Sequence, residues 1–468
     1  STYKYWYDLD KPTTSITFPE NNGIYGSISV VEGWAYDKPV SSNTLDETKG
    51  AVVEIQLYNA TDGYYQGDNT WDSSPKWLSC TWDEWIVTNY IRKWRYTLPS
   101  LTDTYDYKII ARAKDSSGYY DVIRATVTFT YNESYPVSQV TLPRDGTDVG
   151  LFVISGSTTI GKIQGEAHCS GGAITKVEIA MAYRDSDTWH YYDWNNSNWN
   201  ATDWQWLLVG DPSGNKAYFE KDLSSIDMSP AKGLPVTVRA KAYAGSTEES
   251  PGLGSTFIPR EEECHSWTDS PNHGEITPGP TQFSGKINAG KGYTVDSDGI
   301  EVCIQKVIAF PSGSNDGDVW DANDDDKYWD WNLKSWVDAK SPTTWSTGTV
   351  TGPDADTENC YSWSIDISTI PGDWHYVNWE TNLYYRLLTR TKNSYPDSED
   401  APSGGLVFVV DTVPPNSAVS NPSDGITFRT LSEISGTAFD AVAGVKPNGL
   451  NPIVMNSLWN KCDISALL

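Results

Sequence analysis

The chain repeats itself along its 468 residues. Proline-led turns begin at Pro19, Pro143 and Pro422, and each of these prolines lies seven residues after another one. Each turn contains an Asn-Gly or Asp-Gly pair, which favours a turn because Gly tolerates positive φ and Asn or Asp bonds its own backbone. Internal repetition of this kind predicts an array of similar domains.

A Gly-x-Ala element follows each turn, and strands of alternating polarity follow the element. The elements are residues 33–35, 165–167 and 436–438, with a diverged copy at 285–289. The predicted strands are residues 53–57, 177–181 and 302–304, then 107–115, 236–242 and 384–392, and finally 125–131, 255–258 and 406–410. Period-two alternation indicates one buried and one wet face.

The order turn, strand, strand, Trp stretch, strand, strand therefore occurs three times, with almost no helical periodicity. This pattern predicts an all-β chain of β-sandwich domains. The predicted divisions are 1–11 for the closing strand and linker of a preceding unit, 12–131 for domain 1, 136–258 for domain 2, 259–273 for a linker, 274–410 for domain 3 with an acidic insertion, and 411–468 for an incomplete domain 4.

The series resembles the immunoglobulin-like (Big-type) repeat domains that occur in tandem in bacterial and archaeal cell-surface proteins. The matching features are the Asp-x-x-Pro-Pro linker at 411–415, the Pro-x-Asp-Gly turn, the Gly-x-Ala-x-Asp strand, the Ala-Arg-Ala-x-Asp-x-x-Gly strand end at 111–118 and the Trp-bearing stretch. The resemblance covers nearly the whole chain. It implies tandem immunoglobulin-like β-sandwich domains joined by Pro-rich linkers, on the outside of a cell.

The two ends of the chain suggest a segment of a longer array under this resemblance. Residues 1–10 resemble the end of a preceding unit, and the last unit has too few strands. A rival interpretation is strand exchange, in which residues 1–7 complete the sandwich of another subunit.

The composition restricts the function. Lys plus Arg number 34 and Asp plus Glu 62, which gives a net charge of -28. Such a chain repels phosphate, so nucleic acid is not an expected partner. No apolar run approaches the length that crosses a bilayer, and an aromatic content of 13% argues against disorder.

No enzymatic function is predicted. The common nucleotide-binding, zinc-protease and hydrolase signatures do not occur. The five histidines, His168, His190, His265, His273 and His375, show neither metal spacing nor a mark of a catalytic base.

Six cysteines are spread widely, without a Cys-x-x-Cys spacing. Cys303 could pair with Cys360 and Cys169 with Cys264. The alternative is that they are buried thiols.

Calcium is the metal that the sequence suggests. A dense acidic loop offers the oxygens that Ca²⁺ prefers. Its candidate ligands are Asp316, Asp318, Asp321, Asn323 and Asp325, although a solvated acidic insertion explains the loop as well. A second candidate set, at strand ends near the domain junctions, is Asp37, Asp115 and Asp440.

The Trp stretch of the second repeat has two interpretations. The rings of Trp189, Tyr192, Trp194, Trp199 and Trp204, with Tyr191 and Trp206 nearby, could stack on sugars. Because similar aromatics recur in all three repeats, packing is the favoured interpretation. Candidate glycosylation sequons begin at Asn59, Asn132, Asn195 and Asn200.

The sequence thus predicts a secreted or surface-anchored, non-catalytic structural or adhesive protein, such as the subunit of a filament, sheath or stalk. Its expected partners are other copies of itself and a surface glycan or host-cell ligand. The alternatives are an array of carbohydrate-binding modules and an accessory region of a large secreted polysaccharide-active enzyme.

Overall fold

The computed structural model of the chain describes most of the first 413 residues. The described ranges are 10–37, 45–88, 91–154, 157–185, 188–210, 216–252, 254–261, 263–291, 293–307, 327–338, 344–353, 357–358, 360–381, 383–391, 405–413, 416–421, 435–439 and 457–458. In these ranges the regular structure is β, apart from two 3₁₀ turns at Glu47–Lys49 and Ser229–Ala231. None of the described helical turns is long and apolar enough to cross a membrane.

The first repeat forms a sandwich of two sheets, here called sandwich 1. Its strands are β1 (Thr13–Phe18), β2 (Gly23–Tyr25), β3 (Val30–Tyr36), β4 (Val52–Asn59), β5 (Gly63–Tyr65), β6 (Trp71–Asp72), β7 (Leu78–Ser79), β8 (Thr81–Thr88), β9 (Ile91–Thr97), β10 (Asp106–Lys114) and β11 (Ala125–Tyr131). The first sheet has the order β1-β3-β9-β8. The second has the order β2-β11-β10-β4-β5-β6, with β7 also paired to β4 and β2 parallel to β11.

Sandwich 2 repeats this arrangement. Its strands are β12 (Val137–Leu142), β13 (Thr147–Gly150), β14 (Phe152–Ile154), β15 (Ser157–Thr159), β16 (Lys162–His168), β17 (Lys176–Asp185), β18 (Thr188–Asp193), β19 (Asn198–Ala201), β20 (Leu207–Gly210), β21 (Lys216–Asp222), β22 (Val236–Ala244), β23 (Thr247–Glu248) and β24 (Ser255–Arg260). The first sheet is β12-β16-β21, and the second is β13-β24-β22-β17-β18-β19.

Sandwich 3 has the same two-sheet plan. Its strands are β25 (His265–Ser270), β26 (Glu275–Thr277), β27 (Gln282–Asn288), β28 (Ile300–Val307), β29 (Lys327–Asp330), β30 (Ser335–Asp338), β31 (Ser346–Thr347), β32 (Thr349–Thr351), β33 (Thr357–Glu358), β34 (Cys360–Asp366), β35 (Leu383–Thr391) and β36 (Leu406–Val410). The first sheet is β25-β27-β34-β32, and the second is β26-β36-β35-β28-β29-β30.

Two smaller sheets complete the described structure. Strand β14 of sandwich 2 pairs with β33 of sandwich 3, so backbone hydrogen bonds join these two neighbours. Beyond sandwich 3, β37 (Asn416–Asn421), β38 (Ser435–Phe439) and β39 (Ser457–Leu458) form a three-stranded sheet.

Alternating polarity builds the sandwiches as the sequence predicts. In β10, Tyr107, Ile109 and Ala111 point inward and are buried, while Lys108 between them is exposed. Inward residues of both sheets share one core, for example Val31 and Trp94 from the first sheet with Ile109 from the second. The fold is thus an array of immunoglobulin-like β-sandwiches.

In sandwiches 1 to 3, the glycine of the Gly-x-Ala element, or of its diverged copy at 285–289, is required by a close approach. A Cβ built on Gly165 would lie 2.1 Å from the Phe219 ring and 2.4 Å from the Gln139 carbonyl oxygen. Gly33 and Gly285 meet the rings of Trp94 and Trp363 in the same way. The repeated Gly therefore makes room for an aromatic ring on the next strand.

The structure differs from two of the expectations. The segment 259–273, expected to be a linker, contains β25, the first strand of sandwich 3. Residues His265 to Ser270 pair antiparallel with β27, and the first four of them are buried. The segment that is left to connect the sandwiches is therefore shorter. Cys169 and Cys303 are free thiols, so neither the Cys169–Cys264 nor the Cys303–Cys360 disulfide is formed.

The expected closing strand at 1–11 lies largely outside the described residues, as does most of 411–468. Both assignments remain predictions from the sequence.

We expect Gly165→Ala to lower the free energy of unfolding by about 2 kcal/mol, because the added methyl overpacks the Phe219 contact. Gly172→Ala is the matched control, since its nearest neighbour would be 3.9 Å away, and it should change the same free energy by less than about 0.5 kcal/mol. Urea denaturation of both variants measures the difference. Equal losses would show that Gly165 is not under steric constraint.

Candidate ligand site at the sandwich junctions

Neighbouring sandwiches stack sheet against sheet. Side chains on the outer face of the first sheet of sandwich 1 contact the outer face of the second sheet of sandwich 2. Lys93 of β9 reaches Asp145, which follows β12, and Thr256 of β24. The outer sheet faces, which a lone sandwich would present to water, are therefore partly buried in the chain.

A buried ionic network holds this first junction together. Lys93 is 2% exposed, and its Nζ lies 3.0 Å from Glu32 and 3.2 Å from Asp145. Arg95 pairs with the same two carboxylates. Lys93, Arg95 and Glu32 of sandwich 1 thus form one network with Asp145 of sandwich 2, and its two cations match its two carboxylates.

A second set of contacts lies at the edge of the same junction. The Arg239 guanidinium of β22 pairs with Glu20 and donates to the Thr17 carbonyl oxygen at 3.2 Å. The Ile24 amide donates to Ser250 Oγ at 2.7 Å, and the Ser250 amide donates back to the Ile24 carbonyl at 3.4 Å. Sandwich 2 thereby bonds the backbone of sandwich 1 directly.

The junction between sandwiches 2 and 3 uses a neutral histidine. His273 Nδ1 accepts the Val407 N–H at 3.2 Å, and Nε2 lies 2.9 Å from the Gly165 carbonyl oxygen. Nδ1 accepts the first hydrogen bond and is therefore unprotonated. Nε2 carries the proton and donates a hydrogen bond to the Gly165 carbonyl oxygen. Tyr218 packs edge-on against the imidazole at 5.3 Å.

Burial lowers the pKa of His273 to about 4. The hydrogen bond to Gly165 acts in the opposite direction, and the positive charges of Arg386 and Lys162 lower the pKa further. The imidazole is therefore neutral near pH 7.

Asp145 and His273 hold the same place in the fold. Each is the third residue of a Pro-x-x-Gly turn and accepts an N–H from the last strand of its own sandwich, donated by Thr256 and Val407 respectively. Each then reaches the preceding sandwich, Asp145 through Lys93 and His273 through Gly165. In sandwich 1, Asn21 Oδ1 accepts the matching Thr128 N–H at 3.0 Å.

The junction residues were not predicted from the sequence. The Pro-x-Asp-Gly turn was interpreted only as a turn, and Pro271-Asn272-His273-Gly274 lacks the Asp that would have marked it as a further copy. Position 264, seven residues before Pro271, is a cysteine where the other three turns have a proline. The Pro-x-x-Gly spacing is nevertheless a usable signal.

A cavity of about 330 Å³ lies in the first junction. Its lining residues are Ile16, Thr17, Phe18, Glu20, Asn21, Glu32, Trp34, Lys93 and Val127 from sandwich 1, and Trp189, Tyr191, Trp204, Thr237, Arg239, Gly254 and Thr256 from sandwich 2. Its volume is at the lower end of the range typical of small-molecule sites.

Four aromatic rings form one wall of this cavity. The Tyr191 and Trp204 centroids are 5.4 Å apart, Trp189 lies 6.2 Å from Trp204, and Trp34 lies 6.4 Å from Trp189. Cations lie over these rings: Arg239 is 5.3 Å from the Trp204 centroid. Aromatic faces beside hydrogen-bonding charged groups can hold a polar ring such as a sugar.

The structure separates the predicted sugar-stacking residues into two groups. Trp189 and Trp204 line the cavity, together with Tyr191. Tyr192 and Trp199 belong to the core of sandwich 2, and Trp194 packs against that core. The five residues therefore do not form one platform.

A further aromatic arrangement recurs in each sandwich. Arg112 lies 3.8 Å from the Trp77 centroid and pairs with Glu54. Lys241 lies over Trp206 at 4.6 Å near Glu178, and Arg390 lies over Trp345 at 4.2 Å beside Glu301. This unit of a Trp, a cation and a Glu sits at the same register of the second sheet each time.

The calcium candidates are partly described. Asp37 and Asp115 are buried, and Asp115 Oδ1 accepts the Tyr119 N–H at 2.8 Å. Within the described ranges, no group of three His, Cys, Asp or Glu side chains could hold a metal ion. Asp440 and the loop ligands Asp316, Asp318, Asp321, Asn323 and Asp325 lie outside the described residues.

The sequons differ in accessibility. Asn195 and Asn200 are exposed, and Asn132 is half-buried. Asn59 is 2% exposed, and its side chain bonds Thr61 and Asp62. In the folded chain, Asn59 therefore has no room for a glycan.

No protein-family profile and no curated protein sequence matches the chain. Among solved structures, it is similar to the fibronectin(III)-like modules of CbhA from Clostridium thermocellum, with 14% identity, 53% of this chain and 95% of that chain covered, and a TM-score of 0.16. The FN1–FN3 domains of chicken CNTN1 give 9% identity, 85% and 97% coverage, and a TM-score of 0.15.

A third similar structure is dimeric latent PorU from Porphyromonas gingivalis, with 10% identity and a TM-score of 0.26. The match covers 86% of this chain but only 34% of PorU. The sequence identities and TM-scores of these matches are low, so the fold assignment depends on the strand pairing of the chain itself.

We expect the stability of the second junction to fall as the pH falls from about 6.5 to about 4. In this window the unfolded chain binds a proton at His273 and the folded chain does not, so acid favours unfolding. The loss should be about 2 kcal/mol after allowing for partial exposure of the ring.

His273→Gln keeps a donor and an acceptor but cannot be protonated, so it should remove this part of the pH dependence. Denaturation midpoints of both proteins across the window measure it. If the wild type and the variant respond to pH identically, His273 is not the titrating group.

Proposed function

We propose that the chain is a non-catalytic structural or adhesive protein of the extracellular surface, built as a stiff stack of immunoglobulin-like sandwiches like the Big-type repeats that it resembles. The observation that supports this proposal is the pair of junctions, where buried polar contacts lock each sandwich to the next. A rigid body of this kind suits a filament, sheath or stalk subunit.

Stiffness follows from the energetics of the first junction. Opening it would separate Lys93 and Arg95 from Asp145 and would expose to water the indole of Trp34, which is 3% exposed in the folded chain. Buried pairs are also screened little by salt. Two adjacent sandwiches should therefore move as one unit rather than as beads on a flexible linker.

The acidic surface fits the same role. With a net charge of -28, the chain stays soluble at high local concentration, and self-association then needs complementary patches, salt or divalent cations. We propose that Ca²⁺ bound at the acidic loop or at the strand ends is such a divalent cation. Calorimetric titration with Ca²⁺ tests this binding.

Lys93→Met tests the stiff stack. It leaves Glu32 and Asp145 short of a buried partner, which should cost the junction about 3 kcal/mol and broaden the distance distribution in small-angle X-ray scattering. Lys306→Met is the matched control, since Lys306 is also a buried lysine and its ion pair with Glu380 lies within sandwich 3.

If Lys93→Met does not fold, Asp145→Asn supplies a milder change at the same junction. Unchanged scattering from a folded junction variant would contradict the stiff stack. Antibody labelling of intact source cells tests the extracellular setting, and label confined to the cytoplasm would contradict it.

A second candidate function is carbohydrate binding, as a module array or an accessory region of a secreted polysaccharide-active enzyme. The cavity in the first junction favours it, because Trp34, Trp189, Tyr191 and Trp204 surround a space with balanced charges. A neutral sugar ring is the ligand whose faces and hydroxyls match that lining.

Trp204→Ala should weaken binding of a neutral oligosaccharide at least tenfold, because it removes one ring of the wall. Trp374→Ala is the control, since that indole is 75% exposed in sandwich 3. A glycan array identifies the sugar and calorimetry measures both variants. Equal binding by the two variants would exclude the cavity as the site.

A further inference from the structure

The two described junctions can be compared position by position. Thr237 of sandwich 2 and Arg386 of sandwich 3 are equivalent, because each lies four residues before the cation of the repeated unit of a Trp, a cation and a Glu. On the facing sheets, Trp34 of sandwich 1 and Glu166 of sandwich 2 each follow the glycine of a Gly-x-Ala element. The same two positions therefore meet at each junction.

In the second junction these positions are filled by side chains. Arg386 is 2% exposed, and its guanidinium lies 3.9 Å from Glu166 Oε1. Leu388, at the position of Arg239, is also buried and packs with Tyr328 in a small apolar cluster. Large side chains thus occupy the positions whose counterparts line the cavity of the first junction.

The first junction is open at the same positions because its side chains differ. Thr237 is short, and its hydroxyl bonds Thr256 of its own sandwich at 3.0 Å. Arg239 pairs with Glu20, and Trp34 lines the cavity where the second junction has a carboxylate. The cavity therefore depends on these particular side chains and does not follow from the stacking geometry alone.

The cavity presents hydrogen-bonding groups that the chain does not use itself. Glu20 accepts the Arg239 guanidinium through Oε1, and none of the described residues donates to its other oxygen, Oε2. In the same part of the structure, no residue accepts a hydrogen bond from the Tyr191 hydroxyl or from the Trp204 indole N–H. A sugar hydroxyl both donates and accepts, so it matches an acceptor that lies beside donors.

The cations of the cavity, by contrast, are already paired. Lys93 is shared by Glu32 and Asp145, and Arg239 pairs with Glu20. The carboxylate of a sugar acid would therefore approach Glu20 without a cation of its own. Such contact between like charges is unfavourable, and most so where water is partly excluded.

We propose that Glu20 determines the specificity of this cavity: it accepts a hydroxyl of a neutral sugar through Oε2 and excludes sugar acids. This inference rests on the carbohydrate-binding function proposed above and names the residue that selects the sugar. Trp204 stacks on the ring, and the Tyr191 hydroxyl donates to a ring substituent. The short side chain of Thr237 leaves the space that the sugar occupies.

Calorimetry with matched oligosaccharides tests the role of Glu20. The probes are short oligomers of glucose, galactose and mannose, and the corresponding oligomers of glucuronate, galacturonate and mannuronate. The wild-type chain should bind at least one neutral oligomer about tenfold more tightly than the corresponding acid. Glu20→Gln should lower this ratio to about one, because it removes the repelling charge and leaves Arg239 without its carboxylate partner.

Glu301→Gln is the matched control, since Glu301 pairs with Arg390 in sandwich 3 and does not line the cavity. It should leave the ratio of the two affinities unchanged. A variant that only loosened the junction would weaken the binding of both series alike, so the ratio separates specificity from structural damage.

A second variant tests whether the open positions of the first junction form the site. Trp34→Glu/Thr237→Arg copies the pair that fills the second junction, so it should abolish binding of the neutral oligomers and leave the small-angle X-ray scattering unchanged. Trp374→Glu/Thr349→Arg makes the same exchanges at exposed positions of sandwich 3 and should leave binding unchanged. If the first double variant does not fold, the ratio measured with Glu20→Gln decides.

Three results would overturn the proposal: a wild type that binds the acids as tightly as the neutral oligomers, a ratio that Glu20→Gln does not change, or binding that survives in the folded, filled variant. In each of these cases a sugar still binds, so the carbohydrate-binding function would stand. A wild type that binds neither series would overturn the proposal together with the function on which it rests.

Discussion

The structure depends on how charged outer sheet faces are buried between sandwiches. A sheet face that is wet in an isolated domain becomes an interior surface when the next sandwich stacks on it, and each buried charge then needs a partner. Lys93 meets this requirement with two carboxylates, one from each sandwich. The junction is consequently specific, because a shift in the stacking would separate the ions without returning them to water.

The two described junctions solve one geometric problem with different chemistry. The third residue of a Pro-x-x-Gly turn accepts an N–H from its own sandwich and extends to the preceding one. Where that residue is Asp145, the link is ionic; where it is His273, the link is a neutral hydrogen bond to Gly165. The backbone scaffold of the turn is thus constant, while the chemistry of the link depends on the side chain at its third position.

The sequence predicted the fold well because its strands alternate cleanly and its glycine and turn positions recur. The sequence does not show which aromatic residues of the second repeat lie in the core and which line the cavity. Neighbouring residues of a strand face opposite sides of the sheet, so the answer depends on the strand register. Tyr192 points into the core while Trp189 and Tyr191 on the same strand β18 point out. A shift of one residue in the pairing of β18 with β17 exchanges these roles, and composition does not reveal that register.

The recurring Trp residues are explained by neither of the two interpretations of the sequence alone. Trp77 and Trp206 are part of neither a core nor the cavity, and Trp345 packs against a small buried cluster of Cys303, Tyr328 and Leu388. Each of the three lies under a cation that is itself paired with a Glu of the neighbouring strand. Stacking on an indole and pairing with a carboxylate leaves the cation with little freedom. Because these cations are already ordered, the sheet face loses little side-chain entropy when another sandwich covers it. The repeated Trp residues therefore favour stacking of the sandwiches even where they do not contact the neighbouring sandwich.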